Sequence, residues 1–252
     1  MQGAIPMERW QRIGLWIGLL GGLCASAFAH TLGDWNAFSM RLHEMAVAVN
    51  QVRLAHGLPP LKLNSELCRA AQMRSDEILL TGNFGHIDAE GHRADTRARQ
   101  AGYEFEWLGE NLAAGQPSLE RALQAWLSSL SHRENLLNPE YREMGLGYTR
   151  LEGSRYGVCW VHLLGSRAEV YPVIINLDAP LTDTPEVELY IYGTEYARSM
   201  RLSNDGIHWS EWRTPTSSLK WRLPDEPGAH TVYVQLLIGD RVYEASDSIY
   251  LL

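Results

Sequence analysis

Apolar positions recur at helical spacing in the first part of the chain and at strand spacing in the last part, with a mixed stretch between them. Phe38, Leu42, Met45, Val49 and Val52 fall on one face at a period of about 3.6 residues. His56-Gly57-Leu58-Pro59-Pro60 then ends that helix. Asn64 is placed to cap a second helix that turns Leu67, Ala71, Ile78 and Leu79 inward, and Gly82 to close it in a left-handed conformation. A third short helix is expected through Arg93 to Gln100. Ser118 caps a fourth, whose Leu119, Ala122, Leu123, Trp126 and Leu127 form a continuous apolar stripe.

Strand-like runs follow at Met144 to Tyr148 and Tyr156 to Leu164, separated by Glu152-Gly153-Ser154. Helices with a small sheet predict an α+β layer architecture for residues 34–166. From Tyr171 the helical period disappears. Val173-Ile174-Ile175, Val187 to Tyr192, Ala197 to Leu202, Thr231 to Leu237 and Ile249 to Leu252 read as strands. The turn formers Asn204-Asp205-Gly206, Pro224 to Gly228 and Gly239-Asp240 punctuate them. Regular short strands over residues 171–252 predict a second, all-β sandwich domain of immunoglobulin-like type.

Charge and the N-terminus narrow the setting. The chain carries 30 acidic against 22 basic residues, dispersed rather than blocked. A nucleic-acid partner is therefore not expected, because phosphate binding calls for a basic face. Arg9 and Arg12 precede the apolar run Ile13 to Ala29, which ends in the small-residue pattern Ala27-Phe28-Ala29. Residues 1–29 are read as a signal peptide rather than a membrane anchor, since the run has 17 residues where a span needs about 20. Cys24 follows the bulky Leu23, which argues against lipid attachment. The mature chain is expected to be secreted, in the periplasm or outside the cell, with Cys68 and Cys159 either paired or buried as free thiols.

Candidate chemistry gathers in three short segments: Phe84-Gly85-His86, Gly109-Glu110-Asn111-Leu112, and Trp126 through Ser131-His132-Arg133-Glu134-Asn135 to Pro139. With Asn50-Gln51-Val52-Arg53, Leu58-Pro59-Pro60-Leu61, Ala101-Gly102-Tyr103 and Gly145-Leu146-Gly147, they form an ordered set over residues 38–165 that resembles the CAP superfamily. That superfamily covers the cysteine-rich secretory, antigen 5 and pathogenesis-related proteins, and the likeness is to its bacterial branch. The resemblance implies a three-layer α-β-α sandwich and a cleft holding two histidines and two glutamates. His86 matches the first histidine and Glu110 the glutamate of the Gly-Glu-Asn motif. His132, thirteen residues before Gly145, matches the second histidine. Ser129 stands where the second glutamate is expected, so the cleft set here is His86, Glu110, His132 and Ser129. The departure at Ser129 weakens any mechanism that needs paired carboxylates.

Elementary chemistry reaches the same residues. Two neutral imidazoles, His86 and His132, are metal-ligand types, and Glu110 can orient an imidazole or a metal-bound water. Two histidines make an open site, so weak and reversible zinc binding is expected rather than a structural metal. The leading reading is a secreted or envelope-associated protein binding a small ligand or a divalent metal in this cleft, and the resemblance to the wider family implies a lipid among such ligands. The alternatives are a metal-assisted hydrolase of peptide or cell-wall material with Glu110 as general base, and an adhesive surface protein. Whether the chain is an enzyme stays open. His162, on the strand face shared with Trp160 and Leu164, reads as a packed histidine. Trp209, Trp212 and Trp221 offer either a glycan or envelope contact through the C-terminal domain or local packing.

Overall fold

Helix α1 (Leu32–Ala55) opens the part of the chain that the computed structural model describes, residues 32–252. The expected signal peptide and the Phe38 side chain lie outside the described residues. α1 stops as anticipated, with Gly57 at φ +72° accepting the left-handed turn that a side chain would resist. α2 (Ser65–Thr81) is capped by Asn64, whose Oδ1 accepts from Glu66 N at 3.0 Å and Leu67 N at 2.9 Å. Gly82 closes it at φ +73°. α3 (Ala94–Gln100) and α4 (Leu119–Ser128) follow. A fifth helix, α5 (Leu130–Leu136), was not legible in the pattern: Ser129 is extended, with φ −100° and ψ 126°, and splits one apolar stripe into two elements.

Four strands form the first sheet in the order β1-β3-β4-β2, where β1 is Lys62–Leu63, β2 Trp107–Ala114, β3 Glu143–Arg150 and β4 Val158–Ser166. β1 runs parallel to β3, and the other pairs are antiparallel. β2 escaped the sequence pattern because Glu110 through Ala113 are all buried, so the alternation of a half-exposed strand is missing.

Side-chain alternation along β4 divides the core in two. Trp160 and Leu164 join Met45, Ala46 and Val49 of α1, Ala122 and Trp126 of α4 and Leu136 of α5. Cys159, Val161 and Leu163 point the other way, onto Leu67, Ala71 and Ile78 of α2 and Ala98 of α3. Helices thus cover both faces of the sheet in an α-β-α layering. On the α2 side two glycines permit the contact. A Cβ on Gly145 would lie 2.2 Å from the Leu67 carbonyl carbon, and one on Gly147 2.3 Å from the Ala71 oxygen. Only a bare backbone lets helix and strand approach so closely. The two thiols are free: Cys68 Sγ accepts from Leu146 N at 3.4 Å, and Cys159 is buried.

The C-terminal part is β-rich. β5 (Val173–Ile175), β7 (Glu186–Ile191) and β9 (Ser218–Arg222) form one sheet. β6 (Leu181–Thr182), β11 (Arg241–Leu251), β10 (Gly228–Ile238) and β8 (Ser199–Ser203) form the other. Val187, Leu189 and Ile191 from the first sheet pack with Leu202, Val232, Val234 and Ile249 from the second. β9 was not anticipated, since none of its residues is fully buried. No helix among the described residues is long and apolar enough to cross a membrane.

The helical and β-rich parts meet at an unusual turn. Asn176, Leu177 and Asp178 are three consecutive non-glycine residues at φ +46°, +61° and +72°. Left-handed backbone costs about 1–2 kcal/mol per such residue, so the turn needs outside support. Asn50 Nδ2 donates to Leu177 O at 2.9 Å, Glu188 N to Asn176 Oδ1 at 2.8 Å, and Leu63 N to Asp178 Oδ2 at 2.7 Å. The Lys62 ammonium bridges Asp178 and Asp247, two carboxylates almost removed from solvent. Asp247 also accepts from Ile175 N at 2.8 Å.

Candidate functional site

The loop between α2 and α3 carries His86, and a buried arginine shapes it. Arg74 of α2 donates from Nη2 to the carbonyls of Asn83 at 3.0 Å, Gly85 at 2.5 Å and Ile87 at 3.2 Å. Its Nη1 pairs with Glu77 at 2.6 Å, and Glu77 Oε1 in turn accepts from Ala89 N at 2.6 Å. A guanidinium suits this task, because its planar fork serves several acceptors at once. Asp88 tightens the rest of the loop by accepting from His92 N at 2.7 Å and Glu90 N at 3.1 Å.

Glu110 comes from β2 and is buried, with its side chain 4% exposed. His86 Nδ1 lies 2.9 Å from Oε1, and Arg97 Nη2 of α3 lies 2.5 Å from Oε2. Arg97 also donates from Nη1 to His92 O at 2.8 Å. The carboxylate is therefore held on one side by an imidazole and on the other by a buried guanidinium. The hydrogen bond that His86 donates to Glu110 raises the His86 pKa above its ordinary value, while partial burial and the charges of Arg97 and Arg74 oppose it. With Nδ1 bound to Glu110, Nε2 is the ring nitrogen left for a ligand.

His132 lies on α5, and β2 is anchored to that helix. Asn111 Nδ2 donates to His132 O at 2.9 Å, and Asn135 Nδ2 donates to Glu110 O at 3.3 Å and Asn111 Oδ1 at 3.1 Å. Desolvation, and then the nearby charge of His86, depress the His132 pKa. Burial thus favours the neutral form of the His132 imidazole. Ser129 stands at the α4–α5 junction without a side-chain cap bond.

A groove of about 450 Å³ opens beside His86 and Glu110, lined further by Arg93, Asp95, Phe105 and Trp107. His132 and Ser129 do not line it. Of the four residues expected together, His86 and Glu110 touch directly. Asn111 and Asn135 tie the backbone of α5 at His132 to the backbone of β2 at Glu110. Arg97 and Arg74 were not singled out from the sequence. Their one signal is an arginine at an inward helical position, which a charge count alone passes over.

No cluster of three or more His, Cys, Asp or Glu side chains arranged to hold a metal occurs among the described residues. The donor set that chemistry offers is the pair of imidazoles, with both Glu110 oxygens already engaged. His162 is buried with neither ring nitrogen hydrogen-bonded, packs 5.6 Å from Trp126, and has its pKa pushed down to about 3 by desolvation. It is a neutral core residue. In the C-terminal part, Arg201 stacks on Trp209 at 5.0 Å and Trp212 at 4.6 Å, and Arg213 on Trp221 at 5.8 Å.

Residues 47–163 match the model of the CAP, or cysteine-rich secretory protein, family. A protein of Bacillus subtilis named uncharacterized protein YkwD is 31% identical over 99 residues, 39% of this chain and 38% of that protein. An uncharacterized membrane protein of the same organism, YlbC, is 29% identical over 101 residues, 40% of this chain and 29% of that protein. The chain thus spans less than two fifths of the length of these curated relatives. Among solved structures, an extracellular protein containing an SCP domain from Bacillus anthracis aligns at TM-score 0.48 and 22% identity, covering 56% of this chain and 45% of that one. An outer surface protein of Borrelia burgdorferi aligns at TM-score 0.46 and 23% identity, covering 49% and 90% respectively.

Proposed function

Taking as premise that residues 47–163 form a CAP domain with bacterial relatives, we propose that this is a secreted or envelope-associated binding protein. Its cleft presents the Nε2 of His86 to a small polar ligand or a divalent metal ion. The observation that carries this reading is the double engagement of Glu110, by His86 at 2.9 Å and Arg97 at 2.5 Å. A carboxylate held by a guanidinium and by an imidazole N–H orients that imidazole; a general base needs a lone pair directed at water. The metal-assisted hydrolase is therefore the weaker reading.

Zinc-type binding rests on His86 and His132 alone, with solvent completing the shell, and is weak and reversible on that donor set. The charged rim of the groove favours a polar ligand over a lipid. The C-terminal sheets are taken as an immunoglobulin-like accessory module whose tryptophans pack locally on arginines, leaving adhesion a secondary role.

Calorimetric zinc titration of the wild type against the His86→Ala, His132→Ala double variant tests the metal branch. Heat that vanishes in the double variant supports a shared imidazole site. Equal heat in both sinks it. Following the His86 ring by NMR tests the orienting role, since Glu110→Gln should return its pKa toward the ordinary histidine value.

A further inference from the structure

Six tryptophans lie among the described residues outside α1, and five of them are accounted for by packing. Trp126 faces His162, Trp160 faces Tyr148 at 4.3 Å, and Trp209, Trp212 and Trp221 each carry an arginine on the ring. Trp107 is the exception. It is 51% exposed at the start of β2, and no aromatic ring or cation stacks on it among the described residues. Trp212 is exposed too, at 39%, but carries Arg201 on its ring, whereas Trp107 leaves half of its indole uncovered. It lines the same groove as His86.

Resting on the binding reading above, we infer that the groove between His86 and Trp107 is a site for a linear oligosaccharide, with Trp107 as the stacking platform. The surrounding groups are hydroxyl-binding types at the rim: Arg93, Asp95 and Glu106 are exposed, and Arg93 makes no ion pair among the described residues. The other aromatic ring in the groove, Phe105, is covered by Arg99 at 4.4 Å. A pyranose ring offers an apolar face of C–H groups and an equatorial fringe of donors and acceptors. That combination matches one bare indole bordered by charged side chains.

Other ligand classes fit less well. β2 is an edge strand, so an extended peptide would be expected to pair with it. At Glu110, however, the edge carbonyl is taken by Asn135. A lipid would need an enclosed apolar channel, whereas this groove has a charged rim. The net charge of −8 disfavours nucleic acid.

The test is calorimetry with chitotetraose and cellotetraose on the full protein, the Trp107→Ala variant and the His86→Ala variant. An unstructured peptide of similar length is the competing probe. Thermal melting checks that both variants fold, as exposed positions should permit. The expected result is wild-type binding to at least one sugar that weakens about tenfold or more in Trp107→Ala. Loss in Trp107→Ala with retention in His86→Ala would uphold the sugar site and remove His86 from it. Zinc binding that depends on His86, with neither sugar bound, would overturn the oligosaccharide and leave the parent reading standing. Binding of the peptide alone, or equal sugar binding in Trp107→Ala, would also overturn it.

Discussion

Arg97 and His86 grip opposite oxygens of one carboxylate: Nη2 of Arg97 is 2.5 Å from Glu110 Oε2, and Nδ1 of His86 is 2.9 Å from Oε1. Glu110 and Arg97 are buried, while the His86 side chain is 55% exposed. The arrangement fixes an imidazole at the protein surface through a charge pair beneath it.

Replacing Arg97 by Met should therefore act on both stability and titration. It leaves the Glu110 charge buried with one partner fewer, which costs about 3–5 kcal/mol, readable by urea unfolding. It also removes a positive charge that holds the His86 pKa down, so an NMR titration should show that pKa rising further. The sign for the wild type follows from the raised value. The His86–Glu110 contact contributes fully below the unfolded histidine pKa and is lost as pH rises through the folded one.

Lys62 supports two buried carboxylates at the junction of the helical and β-rich parts. Burial alone would lower its pKa, but Asp247 and Asp178 together raise it well above the ordinary lysine range. Lys62→Met should destabilise by about 3–5 kcal/mol near neutral pH. Desolvation already raises the Asp247 pKa, and Lys62 counters it. Without the lysine Asp247 should protonate more readily in the folded state, so the penalty should shrink at pH 4. Chemical denaturation at two pH values checks this, and a penalty independent of pH would count against it.

Gly145→Ala should be among the most damaging single substitutions. The new methyl would stand 2.2 Å from the Leu67 backbone and 2.5 Å from Cys68 N. Since backbone rather than a flexible side chain blocks it, α2 must move off β3, at a cost of about 3 kcal/mol or more. Loss of soluble expression or a large drop in the thermal midpoint is expected. Gly153→Ala, at an open turn with φ +79°, should cost much less.

The two thiols should be silent in the native protein. Burial pushes Cys68 up to about 12 and Cys159 up to about 11, and the thiolate is the reactive form. A thiol reagent at pH 8 should label neither until denaturant is added, after which both react without prior reduction. Labelling only after reduction would indicate a disulfide.

The sequence by itself determined the elements whose signals are local. Asn64 and Gly82 bound α2 as their chemistry requires, and Ser118 caps α4. β7 and β10 follow the two-residue period between their turn formers, whereas β6, β9 and most of β11 lacked such a signal. His86 and Glu110 were legible because each stands in a short ordered motif. The tertiary structure decided what depends on partners distant in sequence. β2 is hidden because burial on both faces erases alternation. Arg97 and Arg74 are indistinguishable in sequence from surface arginines until folding buries them against Glu110 and the carbonyls of Asn83, Gly85 and Ile87. The left-handed turn at Asn176 to Asp178 is held by Asn50, Leu63 and Lys62 from more than 100 residues away. Periodicity and capping are properties of neighbours along the chain, whereas the burial of charge and the tolerance of strain are properties of neighbours in space.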